Sequence, residues 1–443
     1  MQTSQRWPIL ALITVAIATI TVRLHNAFSW NPWWGYDGGA HLAYSTALAM
    51  IGHLPTMQQS YVAWHEPLFY TLAVPFLGLP NLLPTIFGIA TLGLCVLWLW
   101  QWTRRPSAIL IFLLLSLGLP VAHAAGLFFS NEGLVHLLLL TALFLLSSQR
   151  RQGSTDRTAD IVDPRSWSGM TNMFVGVLLG FALLTKLTAF LGLLTLLVWC
   201  GWHALAQRKM KPLLVGLMTC AIALLIASPW FIYKTKTFGS VFANPYETGR
   251  VQEMLPPHFF TSFDKNIFFS PFWPAGSNSF WSVAFAGTVT DYDGLLQNPD
   301  VTVHSSNTVP SGINHIVTKA HAQAAQRAIF LAACLAPLFL FAAIRTMQRV
   351  WRERKQPSGH TLVTIFITAS LAALAFNIWR FPSLERGNLK PIFIFSAVLL
   401  SVFLTAEAIT DPTLHPRLRI VLTWYAGIIG TLFATNGVLL AWI

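Results

Sequence analysis

The chain has 443 residues, of which 54% are hydrophobic and only 10% are charged. This charged share lies well below the roughly 25% of an ordinary soluble domain, which excludes that class of protein. The formal net charge is +12, but the basic residues gather at the ends of apolar runs. The charge therefore indicates orientation in a membrane rather than binding to nucleic acid. The four cysteines all lie inside apolar runs, so neither a disulfide framework nor a zinc site is expected.

Apolar runs of membrane-spanning length recur from Trp7 to the C-terminus and predict an all-α polytopic membrane protein. The first run has no small-residue cleavage site directly after it, so we interpret it as a retained anchor. About eleven transmembrane helices are expected, near residues 7–23, 84–103, 106–123, 131–148, 170–185, 188–205, 212–233, 326–345, 361–378, 390–409 and 420–440.

One apolar run, residues 68–79, decides the topology of everything after it. It has only 12 residues, contains Pro75 and is bounded by Pro67 and Pro80, so we interpret it as a re-entrant or interfacial helix. If it does not cross, the positive-inside rule holds, with the N-terminus inside and the C-terminus outside; if it crosses, every basic cluster lies outside. The clusters are Arg104/Arg105, Arg150/Arg151/Arg157/Arg165, Arg208/Lys209/Lys211, Arg345/Arg349/Arg352/Arg354/Lys355 and Arg417/Arg419.

Three polar regions then share the extracytoplasmic face: residues 26–84, 123–132 and 234–326. The third is too long for a simple connector and is rich in aromatic residues, which favours a functional role. We divide the chain into a catalytic transmembrane core, 1–233, with its first outer loop, 26–84, an outer loop, 234–325, covering the acceptor or donor, and C-terminal transmembrane helices, 326–443.

Two acids, Asp37 and Glu132, stand where spans meet this outer face. Asp37 is followed by two glycines, and His41 comes one helical turn later, where it can share a face with the acid. A charged residue at such a place indicates a functional site. The alternative is helix capping, which fits Asp37 and also Glu132, because Glu132 follows Ser130-Asn131.

Cations on the outer face run against the orientation bias and so require a reason. Lys186, Lys234, Arg386 and Lys390 fall there, and an anionic ligand such as the phosphate of a lipid carrier would account for them. The alternative is headgroup contact or snorkelling, which we favour for Arg23 and Lys319.

The order of these motifs resembles the GT-C glycosyltransferases, polyprenyl-phosphate-sugar-dependent enzymes related to protein O-mannosyltransferases and lipid A aminoarabinose transferases. The resemblance covers about Trp7 to Tyr233 well and the remainder loosely. The family usually has Glu or Tyr after the first acid, where this chain has Gly38, and an aromatic residue where it has Gly387. The matching stretches are Asp37, His65-Glu-Pro-Leu-Phe-Tyr70, Glu132, Leu183-Leu-Thr-Lys-Leu187, Ser228-Pro-Trp-Phe-Ile-Tyr233 and Glu385-Arg-Gly-Asn-Leu-Lys-Pro391.

The resemblance implies a GT-C-like fold with outer-leaflet juxtamembrane helices and a long extracytoplasmic loop. It implies inverting transfer of a sugar from a polyprenyl-phosphate donor to a lipid, glycan or protein acceptor. The expected location is a bacterial inner (plasma) membrane, with the site on the extracytoplasmic face. Asp37 and Glu132 would be catalytic, and substrate would contact Tyr36, His41, His65, Glu66, Lys186, Lys234, Arg386 and Lys390.

No cofactor is certain, because two acids and one histidine are too few to assign a divalent cation. Two other functions stay open. A membrane polysaccharide polymerase or ligase would share the outer loops and cationic sites. An ion-coupled lipid transporter fits less well, because transporters place their acids near the bilayer midplane and often have internal repeats, which this sequence lacks.

Overall fold

The structure is a computed structural model. It describes residues 6–35, 37–60, 62–148, 164–242, 255–272, 275–292, 319–382 and 389–441. Within these ranges the chain is helical and contains no β-strand. The α-helices of the described part are α1 (Arg6–Ser29), α2 (Gly38–Ile51), α3 (Leu68–Ala73), α4 (Leu82–Thr103), α5 (Pro106–Leu117), α6 (Pro120–Ala125), α7 (Glu132–Ser148), α8 (Pro164–Leu183), α9 (Phe190–Gln207), α10 (Lys211–Phe238), α11 (Phe280–Val289), α12 (Lys319–Arg352), α13 (Gly359–Arg380), α14 (Phe395–Ile409) and α15 (Pro416–Ala441).

Among the described residues, eight helical segments are long and apolar enough to cross a membrane, namely those built on α1, α4, α9, α10, α12, α13, α14 and α15. Two of the other expected spans, 131–148 and 170–185, coincide with shorter apolar helices, α7 and the part of α8 from Met170 to Leu183. The expected span 106–123 is instead divided between α5, which ends at Leu117, and α6. The prediction of an all-α, multi-pass membrane protein is confirmed. The exact number of crossings stays a prediction.

The short apolar run after Pro67 forms α3, which has six residues, and a 3-10 turn, Val74–Phe76. At about 1.5 Å per residue α3 is only about 9 Å long, so it does not cross a bilayer. The backbone N–H of Leu68, at its start, donates to the carbonyl of Leu184 at 2.9 Å. This bond fastens α3 to the segment that follows α8.

Arg23 corrects an expectation, because it does not snorkel. Its side chain is only 4% exposed, and its guanidinium donates to the carbonyl oxygen of Ala122 at 2.7 Å. Gly88 and Gly126 make room for it, since a Cβ at either position would lie within 2.7 Å of the guanidinium. Arg23 therefore lies on the side of α1 that packs against the rest of the bundle, where its Nη2 donates to a carbonyl in α6.

The two ends of α14 define the two faces of the bundle. Its first turn lies beside α7, where Ser396 contacts His136, and its last turn carries Glu407, about 16 Å further along the axis. We call the end that holds Asp37, Glu132 and Lys186 the site face, and the end that holds Arg105, Arg349 and Arg419 the arginine face.

Ion pairs join the helix ends at the arginine face, a feature that the sequence analysis did not identify. Arg349 in α12 contacts Glu407 at 2.5 Å and also pairs with Asp411. Arg345 lies 3.2 Å from the same Asp411 carboxylate. His360, at the start of α13, contacts Arg349 at 2.9 Å. The cluster connects α12, α13 and α14.

The described part of the long loop packs on the site face. The α11 glycine, Gly287, lies against Pro391, where an added Cβ would come within 3.0 Å of the proline ring. Asp291, just after α11, approaches the His321 imidazole of α12 at 3.3 Å. These contacts fix α11 between the start of α12 and the turn before α14. The expectation that this loop covers donor or acceptor stays a prediction.

Both ends of α10 are exposed, which makes the predicted orientation testable. In a variant without native cysteines, we expect Met210→Cys to react with a membrane-impermeant maleimide from the cytoplasmic side only. Ser240→Cys, beyond the other end of the same 28-residue helix, should react from outside only, because the positive-inside rule orients α10 in this way. Labelling of both from one side contradicts a crossing by α10, and the reverse pattern contradicts the orientation.

Candidate functional site

Asp37 is held at a tight turn directly before α2. Its backbone is left-handed, with φ 55° and ψ 21°, a conformation that Asp and Asn adopt more readily than most residues. Two residues earlier Gly35 has φ +92°, and a Cβ there would lie 2.7 Å from the Phe128 ring. Close packing therefore sets this turn. Tyr36, between the two, lies outside the described residues.

The capping interpretation of Asp37 is not supported. Asp37 occupies the N-cap position of α2, but its side chain makes no capping hydrogen bond, and only its carbonyl accepts the N–H of His41, at 3.0 Å. The residue is exposed, and its carboxylate acts electrostatically on His41 and Tyr70. An accessible carboxylate beside two aromatic polar groups is suited to accepting a proton.

His41 lies at the centre of the site. Its ring nitrogen Nδ1 is 2.5 Å from the Tyr70 hydroxyl, and the two rings stack at an interplanar angle of 15°. Burial lowers the pKa of His41 to about 4; the carboxylates of Asp37 and Glu132 oppose this shift, and the cations Lys186 and Lys390 add to it. His41 is therefore neutral at pH 7. These four charges come from separate segments and surround one imidazole.

His65 and Trp64 form the aromatic wall next to His41. The His65 ring packs edge-on against His41, with centroids 5.4 Å apart, and lies 4.1 Å from the Trp64 ring. Burial, and then the neighbouring His41, Lys186 and Lys234, lower the pKa of His65 well below its usual value. Burial likewise raises the pKa of Tyr70 well above its usual range. At neutral pH these side chains are therefore uncharged, and they can interact with other groups by hydrogen bonding and stacking.

Glu66 and Lys234 form a buried ion pair across the site. The Lys234 ammonium lies 2.9 Å from Glu66 Oε1, and the lysine side chain has no exposed surface. The same ammonium is 5.3 Å from the centre of the Trp64 ring. Lys234 stands near the end of α10, 168 residues from Glu66. The pair therefore fixes the segment with Trp64 and His65 against a long apolar helix.

Glu132 and Lys186 form a second ion pair. Glu132 is the first residue of α7 and is buried, and Lys186 follows α8 in an extended conformation. The neighbouring Asn131 amide donates to the Thr185 carbonyl at 3.0 Å, which holds the two segments together. The Lys186 ammonium also lies 4.5 Å from the Phe393 ring centre. Glu132 therefore holds the Lys186 ammonium in the site, and its predicted catalytic role stays a prediction.

His136 belongs to this site, although the sequence analysis did not select it. Its Nε2 lies 3.6 Å from Glu132 Oε2 and 2.7 Å from the Ile392 carbonyl, and its Nδ1 contacts the Ser396 hydroxyl at 2.9 Å. Its position four residues after Glu132 in one helix was an available signal. Lys390 is half-buried and directly precedes the 3-10 turn Pro391–Ile394, which leads into α14. Arg386 lies outside the described residues.

No group of three His, Cys, Asp or Glu side chains is arranged to hold a metal ion in the part of the chain that the structure describes. Glu132 and Glu66 each bind a lysine, and Asp37 alone is a weak ligand set for a hard cation. The proposed chemistry therefore uses no divalent cation.

The Glu66–Lys234 pair leads to a stability prediction. Lys234→Met leaves the Glu66 carboxylate buried without its cation, which should destabilise the protein by about 3–5 kcal/mol. Replacing both residues, Glu66→Leu with Lys234→Met, should restore most of the loss, since a buried pair exchanged for apolar groups is often neutral. Thermal unfolding of the purified variants measures both effects.

Lys236→Met is the matched control, because Lys236 lies on the same helix with an exposed side chain. It should unfold at the wild-type temperature. Equal stability of Lys234→Met and Lys236→Met would show that the pair contributes nothing to folding.

No protein-family model matches the chain, and no curated protein sequence matches it. Solved structures do match. ArnT from Cupriavidus metallidurans in the apo state aligns with a TM-score of 0.57 and 16% identity, over 97% of this chain and 63% of ArnT. ArnT bound to undecaprenyl phosphate aligns with a TM-score of 0.50 and 15% identity, over the same shares of the two chains.

A second protein has the same arrangement of helices. The Archaeoglobus fulgidus oligosaccharyltransferase in complex with Zn and sulfate aligns with a TM-score of 0.53 and 15% identity, over 97% of this chain and 53% of its own length. This chain thus spans just over half to under two thirds of the proteins that it matches. Both are members of the GT-C superfamily. At this level of identity the likeness concerns the fold, and the chain has the membrane fold of the GT-C glycosyltransferases.

Proposed function

We propose that this protein is a glycosyltransferase that moves a sugar from a polyprenyl-phosphate-linked donor to an acceptor on the extracytoplasmic face. The observation that carries the proposal is the exposed Asp37 carboxylate, which makes no capping hydrogen bond to α2 and acts electrostatically on His41 and Tyr70. The fold supports the same class, because its solved neighbours include ArnT bound to undecaprenyl phosphate.

Asp37 is the proposed general base. The acceptor hydroxyl or amine gives its proton to the Asp37 carboxylate as its lone pair attacks the anomeric carbon. The bond from that carbon to the phosphate oxygen breaks, and its electrons leave with the polyprenyl phosphate. Attack opposite the leaving group inverts the anomeric configuration. A positioned base of this kind contributes about 10²–10⁴-fold in rate.

Lys186 and Lys390 are the proposed cations for the leaving phosphate. Both act electrostatically on His41, so both lie near the centre of the site. Glu132 holds Lys186 in place, and His136 packs against the other oxygen of the same carboxylate. Fixed cations stabilise the charge that develops on a departing phosphate. Lys234, which is wholly buried against Glu66, instead positions the aromatic wall.

His41, His65 and Trp64 form the proposed sugar-binding wall. Aromatic faces pack against the apolar C–H surface of a sugar, and neutral imidazoles exchange hydrogen bonds with its hydroxyls. The depressed pKa values of both histidines support this role, since charged imidazoles would repel the cations that the phosphate needs. The ion pair between Glu66 and Lys234 holds this wall in place.

A membrane polysaccharide polymerase or ligase is the second candidate. The match to an oligosaccharyltransferase favours it, because that name denotes transfer of a glycan rather than a single sugar. A polyprenyl monophosphate sugar as donor supports the first function, and a lipid-diphosphate glycan supports the second. An ion-coupled transporter ranks lower, since the acids lie at helix ends rather than at the bilayer midplane.

Asp37→Asn is the decisive variant. Asn adopts the left-handed backbone at this position nearly as readily as Asp, so the turn and α2 should persist. The variant cannot accept the proton, so its single-turnover rate should fall on the order of 10²-fold or more. The measurement is single-turnover transfer from a polyprenyl-phosphate sugar, with thermal unfolding and donor binding recorded on the same sample.

Glu132→Gln is the comparison variant, and its effect on turnover should be milder, because Glu132 orients Lys186 and takes no proton. A well-folded Asp37→Asn protein with wild-type turnover would refute the mechanism. Slow turnover together with lost thermal stability would assign Asp37 a structural role instead.

The phosphate proposal is tested at Lys390. Lys390→Gln should weaken binding of the donor about ten-fold while leaving acceptor binding unchanged, because it removes one charge-assisted contact to phosphate. Lys319→Gln is the control, since Lys319 is an exposed lysine at the start of α12 and is not among the charges that act on His41. Equal donor affinity in the two variants, measured by titration with a polyprenyl-phosphate sugar, would exclude Lys390 from the phosphate site.

A further inference from the structure

A cleft of about 320 Å³ lies at the arginine face, at the opposite end of the bundle from Asp37. Two segments form it: the turn between α4 and α5, with Arg105 and Ser107, and the first turns of α15, with Arg419 and Thr423. Thr410, which follows α14, closes its floor. The proposed transferase chemistry uses none of these residues.

Three polar side chains of the cleft have hydrogen-bonding capacity that no described residue uses. Arg105 donates through Nη1 to the Thr410 carbonyl at 2.6 Å, which aims its guanidinium along the floor. Arg419, Ser107 and Thr423 make no side-chain hydrogen bond or ion pair with any residue that the structure describes. Each of the three is nonetheless half-buried. A half-buried guanidinium with two hydroxyls beside it forms a ready donor set for an anion.

The local charges do not balance. Asp411 and Glu407 lie within electrostatic range of Arg105, together with Arg349 and Arg419. Both acids are already paired, with Arg345 and Arg349. The two cations of the cleft, Arg105 and Arg419, are left without a carboxylate of their own among the described residues. The cleft therefore has an excess of two positive charges.

The outer wall of the cleft is apolar and faces the surroundings of the bundle. Ile420 is 54% exposed and Trp424 is 69% exposed, on a helix of membrane-spanning length. Tryptophan is typical of the level at which headgroups meet acyl chains. The cleft thus has donors for an anion on one side and an exposed apolar wall on the other. A small anion from water would contact only the donors, whereas a lipid would contact both.

We propose that this cleft binds the headgroup of an anionic phospholipid from the leaflet at the arginine face. The phosphate lies between Arg105 and Arg419 and accepts from Ser107 and Thr423, and an acyl chain lies along Ile420 and Trp424. Basic pockets between transmembrane helices are a known mode of recognition for anionic lipid headgroups. The site is separate from the proposed donor site, which lies at the other end of α14.

Arg419→Gln in the full-length protein tests the proposal, because Arg419 makes no described contact whose loss would disturb folding. Delipidated protein in detergent is titrated with phosphatidylglycerol, and the bound lipid is counted by native mass spectrometry alongside thermal unfolding. Wild type should bind one phosphatidylglycerol tightly and gain thermal stability. Arg419→Gln should bind it about five-fold more weakly, the factor expected for one interfacial arginine.

Arg417→Gln is the matched control. Arg417 lies two residues earlier on α15, fully exposed and outside the cleft lining, so this variant should bind like wild type. Thr423→Val removes a second proposed hydrogen-bond donor to the phosphate and should also weaken binding of phosphatidylglycerol. Phosphatidylcholine and inorganic phosphate are the other two probes, and neither should stabilise the protein.

Each contrary result would overturn a specific part of the lipid-site proposal. Equal affinity of Arg417→Gln and Arg419→Gln overturns the site, because only general surface charge would then act. An equal response to phosphatidylcholine overturns the role of the arginines. A response to inorganic phosphate as large as that to phosphatidylglycerol identifies a free-anion site and overturns the lipid assignment.

Discussion

The arrangement of the site depends on the cost of removing a charge from water. A lone buried ammonium or carboxylate is strongly disfavoured, so Lys234 and Glu66 must lie together. Their contact at 2.9 Å joins the end of α10 to a segment 168 residues away. Trp64 and His65 come immediately before Glu66, so this one contact places the aromatic wall beside His41. Two hydrogen bonds between distant segments also hold the site together. The Leu68 N–H donates to the Leu184 carbonyl, and the Asn131 amide donates to the Thr185 carbonyl.

Asp37 contrasts with the two paired acids. Glu66 and Glu132 are buried and neutralised, which makes them structural supports for lysines. Asp37 is exposed and stands on a backbone turn that close packing of Gly35 against Phe128 maintains. The burial of the acids thus separates the group that can exchange a proton from the groups that hold cations. This separation is why Asp37, rather than Glu66 or Glu132, is the proposed base.

The sequence predicts the membrane helices well because each of the eight long helices contains an apolar stretch long enough to cross a membrane. The same patterns predict that residues 68–79 do not cross, and this run forms only the six-residue α3 and a short 3-10 turn, which are too short to span a bilayer. The sequence does not predict which residues far apart along the chain contact each other. Glu66 and Lys234 were both selected as site residues, yet nothing local predicts that they pair. Arg23 was placed at the lipid surface because the sequence does not reveal which side of α1 faces Ala122. His136 was overlooked although its spacing from Glu132 was visible.

The helix α14 touches both faces of the molecule. Ser396 in its first turn contacts His136 beside the Glu132–Lys186 pair, and Glu407 and Thr410 at its other end meet Arg349 and Arg105. A helix moves along its axis nearly as a rigid rod, so a displacement at one end reaches the other. Any free energy by which an occupant of the cleft biases the position of α14 must then reappear, equal in size, in the affinity of the opposite site. With the proposed lipid in the cleft, the lipid composition of one leaflet becomes a thermodynamic variable for the proposed transfer at the other.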